Sequence, residues 1–336
     1  MPELLGERLL FLIGAPRSGT TLLMRMLAGH PTIYARSEPH LLTPLAHLGY
    51  FHHVQQAPYD PFQSALAIRN LVADLPQGEV SYLRALRAYT HAIYGGLLHG
   101  RRERYFLDKT PAYALVLPFI RQLYPRAHYV VLTRHPFAIF ASYARRFFDD
   151  DWQAAWRFNP LLERYLPAIA ALLQKPPNSM VHVRYEDLVT DPVAHLGRVC
   201  ARVGITPDPT LVNYQQTPFP TGGLGDPVTI HRHTRPTTAY LHSWTSAVAQ
   251  HPDRQALLRQ MIAWVSDEEL TALGYPRDTL WDPLDHLGRT PQRKRLWNRY
   301  HLKRHLVLRV RKLLRRPSLQ PGLKHLRFVL DVLTRD

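Results

Sequence analysis

Residues 9–24 confine this chain to a narrow set of folds. An apolar run, Leu9 to Ile13, breaks into Gly14-Ala15-Pro16-Arg17-Ser18-Gly19, and a helical pattern opens at Thr20-Thr21-Leu22-Leu23-Met24. That order is strand, tight turn, helix. Glycines let the backbone turn sharply enough for successive N–H groups to converge on an anion. The new helix adds its positive N-terminal end. The spacing Gly14-x4-Gly19 fits a Walker A loop, but Thr20 stands where that loop needs lysine. Without a lysine to reach the β- and γ-phosphates, hydrolysis of ATP or GTP is not expected. Arg17 instead sets a fixed planar charge inside the loop, beside Ser18, Gly19, Thr20 and Thr21, and a guanidinium suits paired sulfate or phosphate oxygens. The plain alternative is an ordinary strand-to-helix turn.

A second stretch, 128–148, repeats the logic. Tyr129 to Thr133 is an apolar strand, Arg134 stands where it ends, and a helix opened by Pro136 carries Ser142 eight residues after Arg134. Ligands of parallel α/β sheets bind at the carboxyl ends of strands, so Arg134 can fork onto a phosphate while Ser142 offers a hydroxyl. Alone, Arg134 is equally well read as a surface cation. Further apolar runs at 105–107 and 180–183, with helical patterns between, predict an α/β fold with a central parallel sheet covered by helices on both faces.

The loop APRSGTTLLMRMLAGHP followed by Glu38, together with the Arg134/Ser142 pair, resembles the sulfotransferases that use 3′-phosphoadenosine 5′-phosphosulfate (PAPS). Within them, the chain is similar to the tyrosylprotein-sulfotransferase-like branch and its bacterial relatives. The likeness covers roughly 11–40, 105–148 and 180–244, in the family's order. It implies a three-layer fold of the P-loop nucleotide-hydrolase type. It implies that the first loop holds the 5′-phosphosulfate and that Arg134 and Ser142 hold the 3′-phosphate. Arg235, in the loop-rich segment 211–244, would contact PAPS from a closing loop. Gly222-Gly223-x-Gly225 in that segment is a flexible turn and not a dinucleotide fingerprint, since no strand precedes it. Residues 180–205, with Tyr185-Glu186-Asp187-Leu188, read as scaffolding.

Sulfuryl transfer from a phosphate oxygen to an acceptor needs a general base for the acceptor proton and cations where charge grows on the leaving oxygen. Glu38 falls on the family's catalytic glutamate when counted from the loop, although the paired acid expected there is Ser37-Glu38 in this chain. His40 is the rival base. Lys109, in Asp108-Lys109-Thr110-Pro111, matches the family's lysine at the bridging oxygen, with Arg17 sharing the task; a surface lysine paired with Asp108 is the alternative. No metal is expected, because His52, His53, His231 and His233 lack a third ligand at a telling spacing.

The 336 residues, 46% hydrophobic, suffice for one large core. The single cysteine, Cys200, excludes an internal disulfide. With no signal-like or membrane-spanning stretch, a cytoplasmic enzyme is expected. The net charge of +16 is uneven: residues 289–336 hold 15 Lys/Arg and two Asp/Glu. A body of 1–288 thus precedes a basic tail of 289–336, where Leu302, Leu306, Val310 and Leu313 share a helical face. Such a helix suits an anionic membrane surface or packing on the body. Nucleic acid is not expected, since no aromatic platform accompanies the charge. Residues 44–100 exceed a minimal crossover and read as an insertion that shapes the acceptor pocket. The acceptor itself is expected to be a hydroxyl (or amine) of a carbohydrate, lipid-linked glycan or small metabolite rather than protein tyrosine. Two other readings stay open: a small-molecule or nucleotide kinase with a degenerate loop, and a non-catalytic nucleotide-binding protein at a membrane surface.

Overall fold

A computed structural model describes residues 6–52, 60–216 and 233–285. His53, His231, Gly222, Gly223, Gly225 and the basic segment 289–336 lie outside the described residues. Five strands, β1 (Leu9–Ile13), β2 (Ile33–Ser37), β3 (Tyr105–Lys109), β4 (His128–Thr133) and β5 (Met180–Arg184), form one sheet in the order β2-β3-β1-β4-β5. Every pairing is parallel. β1 is buried at all five positions, which explains its unbroken apolar run, since a central parallel strand is covered on both faces.

The helices are α1 (Thr20–Ala28), α2 (Leu42–Ala46), α3 (Pro61–Ala73), α4 (Glu79–Leu98), α5 (Leu117–Leu123), α6 (Pro136–Phe147), α7 (Trp152–Phe158) and α8 (Leu161–Gln174). Beyond β5 follow α9 (Tyr185–Thr190), α10 (Pro192–Val203), α11 (Ser243–Ala249), α12 (Pro252–Ile262), α13 (Asp267–Ala272) and α14 (Asp282–Asp285). One sheet face, with Leu10, Leu12, Leu107, Val130, Leu132, Val181 and Val183, packs under Leu23 and Leu27 of α1 and under Leu188, Leu196 and Val199 of α9 and α10. The other face is aromatic. Phe11 meets the rings of Tyr113, Tyr124 and Tyr129 at centroid distances of 5.8–6.1 Å, and Phe106 meets Tyr94 of α4 at 5.0 Å. The result is the three-layer α/β fold expected.

Two features depart from the sequence reading. Ile33–Ser37 is a full strand, although Arg36 and Ser37 break its apolar pattern. It lies at the sheet edge, where only the first three residues need burial. The run at 105–107 also continues through Asp108 and Lys109, both buried, because β3 is flanked by β1 and β2.

The described residues fall into two compact units. The larger runs through Thr43 and resumes at Leu83; the smaller lies within Pro44–Tyr82. In the smaller unit, Asp60 caps α3 by accepting the N–H of Phe62 at 2.9 Å, and the rings of Tyr50 and Tyr82 pack at 4.9 Å. No described helix is long and apolar enough to cross a membrane.

Candidate active site

The chain leaves β1 toward the β2 edge and leaves β4 toward β5, so the connections diverge between β1 and β4. Such a divergence opens a crevice beyond the strand ends. A cavity of about 480 Å³ lies there, within the usual range for small ligands. Its lining draws on the β1 loop (Arg17, Gly19, Thr20, Thr21), on the end of β4 and α6 (Arg134, Ser142, Arg145, Arg146) and on the segment from Arg235 to Trp244.

The loop is built around two glycines that nothing else replaces. A Cβ on Gly14 would stand 2.6 Å from Ser18 Oγ and 2.8 Å from the Leu132 carbonyl of β4. Gly19 has φ 96° and a Cβ there would strike the Tyr185 ring. Arg17 is also left-handed, with φ 70°, a strain that non-glycine residues carry mostly at functional sites. Its Nε donates to Ser142 Oγ at 3.1 Å.

Arg134 stacks on the Tyr185 ring with its guanidinium carbon 4.3 Å from the centroid, and its Nη1 donates to the Arg17 carbonyl at 3.2 Å. Its buried Nε, like the buried hydroxyl of Ser18, has no partner among the described residues. Buried polar atoms without a partner occur elsewhere among the described residues too, in His91 and Trp152 for example. Those of Arg134 and Ser18 stand in a cation-rich loop region, as they would if an anion completed them. The residue after Arg134 is fixed from β5's side: Glu186 Oε1 accepts the His135 N–H at 3.0 Å, and Tyr275 donates to Oε2 of the same carboxylate. That bond gives the expected scaffolding segment a definite task. His135 is stacked on Trp244 at 4.6 Å, and burial drives its pKa down to about 3, so it stays neutral.

Glu38 and Lys109 meet at the other side of β1. Ser37 and Lys109 are register partners, and the Glu38 N–H donates to the Lys109 carbonyl at 2.8 Å, extending the β2–β3 ladder by one bond. Lys109 Nζ then reaches Glu38 Oε1 at 2.7 Å. The lysine is 1% exposed and the glutamate 20%. A buried ammonium is costly unless paired, and Glu38 supplies the pairing. Lys109 is thus buried rather than on the surface, and the carboxylate its Nζ meets is that of Glu38. His40 Nε2 lies 3.9 Å from Glu38 Oε2. Glu38 and His40 both take φ 53°.

The structure therefore brings Arg17, Arg134 and Ser142 together, and separately Glu38, Lys109 and His40. Arg235 lines the cavity and is exposed. Sequence reasoning passed over Arg145 and Arg146, whose signal was their spacing of three and four residues from Ser142 on one helix face. Tyr185, Tyr214, Tyr240 and Trp244 also line the cavity, and nothing in their local patterns separated them from core aromatics. Trp156, by contrast, is buried and donates to Glu163 at 2.6 Å, so it serves the packing of α7 on α8. His233 bonds the Tyr240 hydroxyl at 2.9 Å. No group of three His, Cys, Asp or Glu side chains suited to a metal occurs among the described residues.

The profile of the sulfotransferase family matches residues 10–209, which takes in the loop, Glu38, Lys109, Arg134 and Ser142. Nodulation protein NoeE of Sinorhizobium fredii (strain NBRC 101917 / NGR234) is 34% identical over 183 residues, covering 53% of this chain and 40% of that protein. Protein-tyrosine sulfotransferase A of Caenorhabditis elegans is 23% identical over 214 residues, covering 62% and 52%. The chain thus spans about half the length of these relatives or less. The sulfotransferase domain from the curacin biosynthetic pathway superposes with a TM-score of 0.53 at 22% identity, covering 79% of this chain and 97% of that domain. At that identity the likeness speaks for the fold.

Proposed function

The chain belongs to the sulfotransferase family, and from that premise we propose that it transfers the sulfuryl group of PAPS to a hydroxyl of a carbohydrate, lipid-linked glycan or small metabolite. One observation carries the donor assignment. Arg17, Arg134, Ser142, Arg145 and Arg146 line one cavity at the strand ends, and Arg134 Nε is buried there without a partner among the described residues. A nucleotide with phosphates at both ends would satisfy that set. The β1 loop, from Arg17 to Thr21, takes the 5′-phosphosulfate. Arg134 and Ser142 take the 3′-phosphate, and Arg235 adds a contact from the 233–244 side.

In the reaction the acceptor oxygen attacks sulfur in line while its proton passes to the Glu38 carboxylate. The new O–S bond forms as the S–O bond to the 5′-phosphate breaks, and the electron pair stays on the phosphate oxygen. Lys109 and Arg17 stabilise that charge. The Lys109 contact favours Glu38 over His40 as the base, because it holds the carboxylate in one orientation. Residues 44–100 are the proposed acceptor-side insertion, and the 289–336 tail the proposed contact to an anionic membrane surface.

Calorimetric titration with 3′,5′-adenosine bisphosphate, ATP·Mg²⁺ and 5′-AMP tests the donor assignment. Selective binding of the bisphosphate supports it. Preference for ATP·Mg²⁺ would replace it with a kinase, and no binding of any of the three would leave a scaffold role.

A further inference from the structure

We propose that Asp108 is a positioning residue for the Glu38–Lys109 pair and that it acts through the hydroxyl of Tyr113. The proposal rests on the roles given above to Glu38 and Lys109. Asp108 is fully buried on the aromatic face of the sheet. Among the described residues it has no cation at hydrogen-bond distance; three hydroxyls surround it instead. Oδ2 accepts from Tyr94 at 2.8 Å and from Tyr113 at 3.0 Å, and Oδ1 accepts from Thr110 at 2.8 Å. A buried carboxylate held only by neutral donors is an expensive choice. A well-packed apolar residue at such a site usually leaves a fold no less stable. Core stability therefore does not account for it, and the connections do.

Tyr113 donates to Asp108 and with the same hydroxyl accepts the N–H of Leu42 at 3.1 Å. Leu42 lies four residues after Glu38, just past the two left-handed residues Glu38 and His40. Each such residue carries strain and persists only where its surroundings hold it. The turn has two backbone ties. At its start the Glu38 N–H bonds the Lys109 carbonyl at 2.8 Å, and at its end the Leu42 N–H bonds Tyr113. Both ties converge on consecutive residues of β3, Asp108 and Lys109. Thr110, bonded back to Asp108, sets the direction in which the chain leaves the strand. The buried carboxylate thus fixes the base and its lysine relative to each other from behind, without touching either side chain.

The test reads Lys109 directly. The full chain is treated with limiting acetic anhydride, and the acetylation of Lys109 is measured by mass spectrometry relative to exposed Lys175. In the parent protein Lys109 is protected by burial and pairing. In Tyr113→Phe and Asp108→Asn its relative acetylation rises several-fold. Val130→Ala, a cavity in the opposite sheet face, lowers the melting temperature without that rise. Should Asp108→Asn fail to fold, Tyr113→Phe carries the test alone. Lys109 as protected in Tyr113→Phe as in the parent protein, or equally labelled in Val130→Ala, overturns the proposal. Bisphosphate binding by the parent protein is measured beside it. Its absence refutes the donor assignment and not the positioning, whereas binding with unchanged Lys109 protection refutes the positioning alone. With a turnover assay the same two variants lower kcat and leave the donor KM in place; a raised donor KM with kcat intact overturns the proposal.

Discussion

Arg134 and Tyr185 are pressed face to face, the guanidinium carbon 4.3 Å from the ring centroid. One edge of the guanidinium is engaged by the Arg17 carbonyl, and Nε is left without a partner among the described residues. The fork is oriented before any anion arrives, so little side-chain freedom is lost on binding.

Arg134→Ala is therefore expected to weaken 3′,5′-adenosine bisphosphate binding by at least about 30-fold, since truncating one member of a buried charge pair costs about 2–5 kcal/mol. Affinity for 5′-AMP, which has no 3′-phosphate, should change much less. Calorimetry on both ligands checks this, and an equal loss for the two would remove Arg134 from the 3′-phosphate.

Glu38→Gln should keep bisphosphate binding and lower turnover by about 10²–10⁴-fold, the usual reach of general-base catalysis. It should also lower the melting temperature, because Lys109 is left 1% exposed beside a neutral amide. The measurement is PAPS consumption with an acceptor found by screening, beside thermal unfolding. Undiminished turnover would move the base to His40.

Two glycines give opposite outcomes when changed to alanine. Gly19→Ala should destabilise by about 1–3 kcal/mol, because it forces a left-handed alanine, and its Cβ would displace Tyr185 from under Arg134. Bisphosphate affinity should fall with it. Gly197, inside α10, has open space where a Cβ would go, and Gly197→Ala should stabilise by about 0.5–1 kcal/mol. Denaturant midpoints of both variants decide the matter. A neutral Gly19→Ala would mean that the loop accommodates a side chain.

Burial raises the Asp108 carboxyl to about 6. Between about pH 4 and 6 the folded chain keeps a proton there that the unfolded chain has released. This group's contribution to stability is present below pH 4 and is lost as pH rises through 6, on the order of 3 kcal/mol in all. His135 and His182, held neutral by burial with pKa values of about 3 and 4, act in the opposite direction throughout that window. They are common to both proteins when the parent is compared with Asp108→Asn. The stability difference between those two should shift in favour of Asp108→Asn as pH rises from 4 to 6. Parallel curves in denaturant titrations would contradict it.

Reading the sequence located the β1 loop, the Arg134/Ser142 pair and four of the five strands because each is a local pattern: an apolar run, a glycine spacing, a strand-end cation. β2 was missed because an edge strand need not be apolar to its end, and Arg36 and Ser37 are not. The Glu38–Lys109 contact spans 71 residues of chain and depends on that unread strand for its register, so only the pairing of β2 with β3 reveals it. The hydroxyls on Asp108 were invisible for a related reason. Tyr94 sits on an amphipathic helix and Tyr113 in a short 3-10 turn, and neither pattern distinguishes a ring that packs from a ring whose oxygen also bonds.

β2 closes the sheet on one side, whereas β1 and β4 are neighbours within it. Under the roles proposed here, the nucleotide is read by the interior of the sheet and the proton is taken at its rim. An edge strand answers to a neighbour on one side alone, so insertions and replacements accumulate there at small cost to folding. A lineage built on this plan can exchange one acceptor for another by remodelling its border while its donor recognition is inherited unchanged.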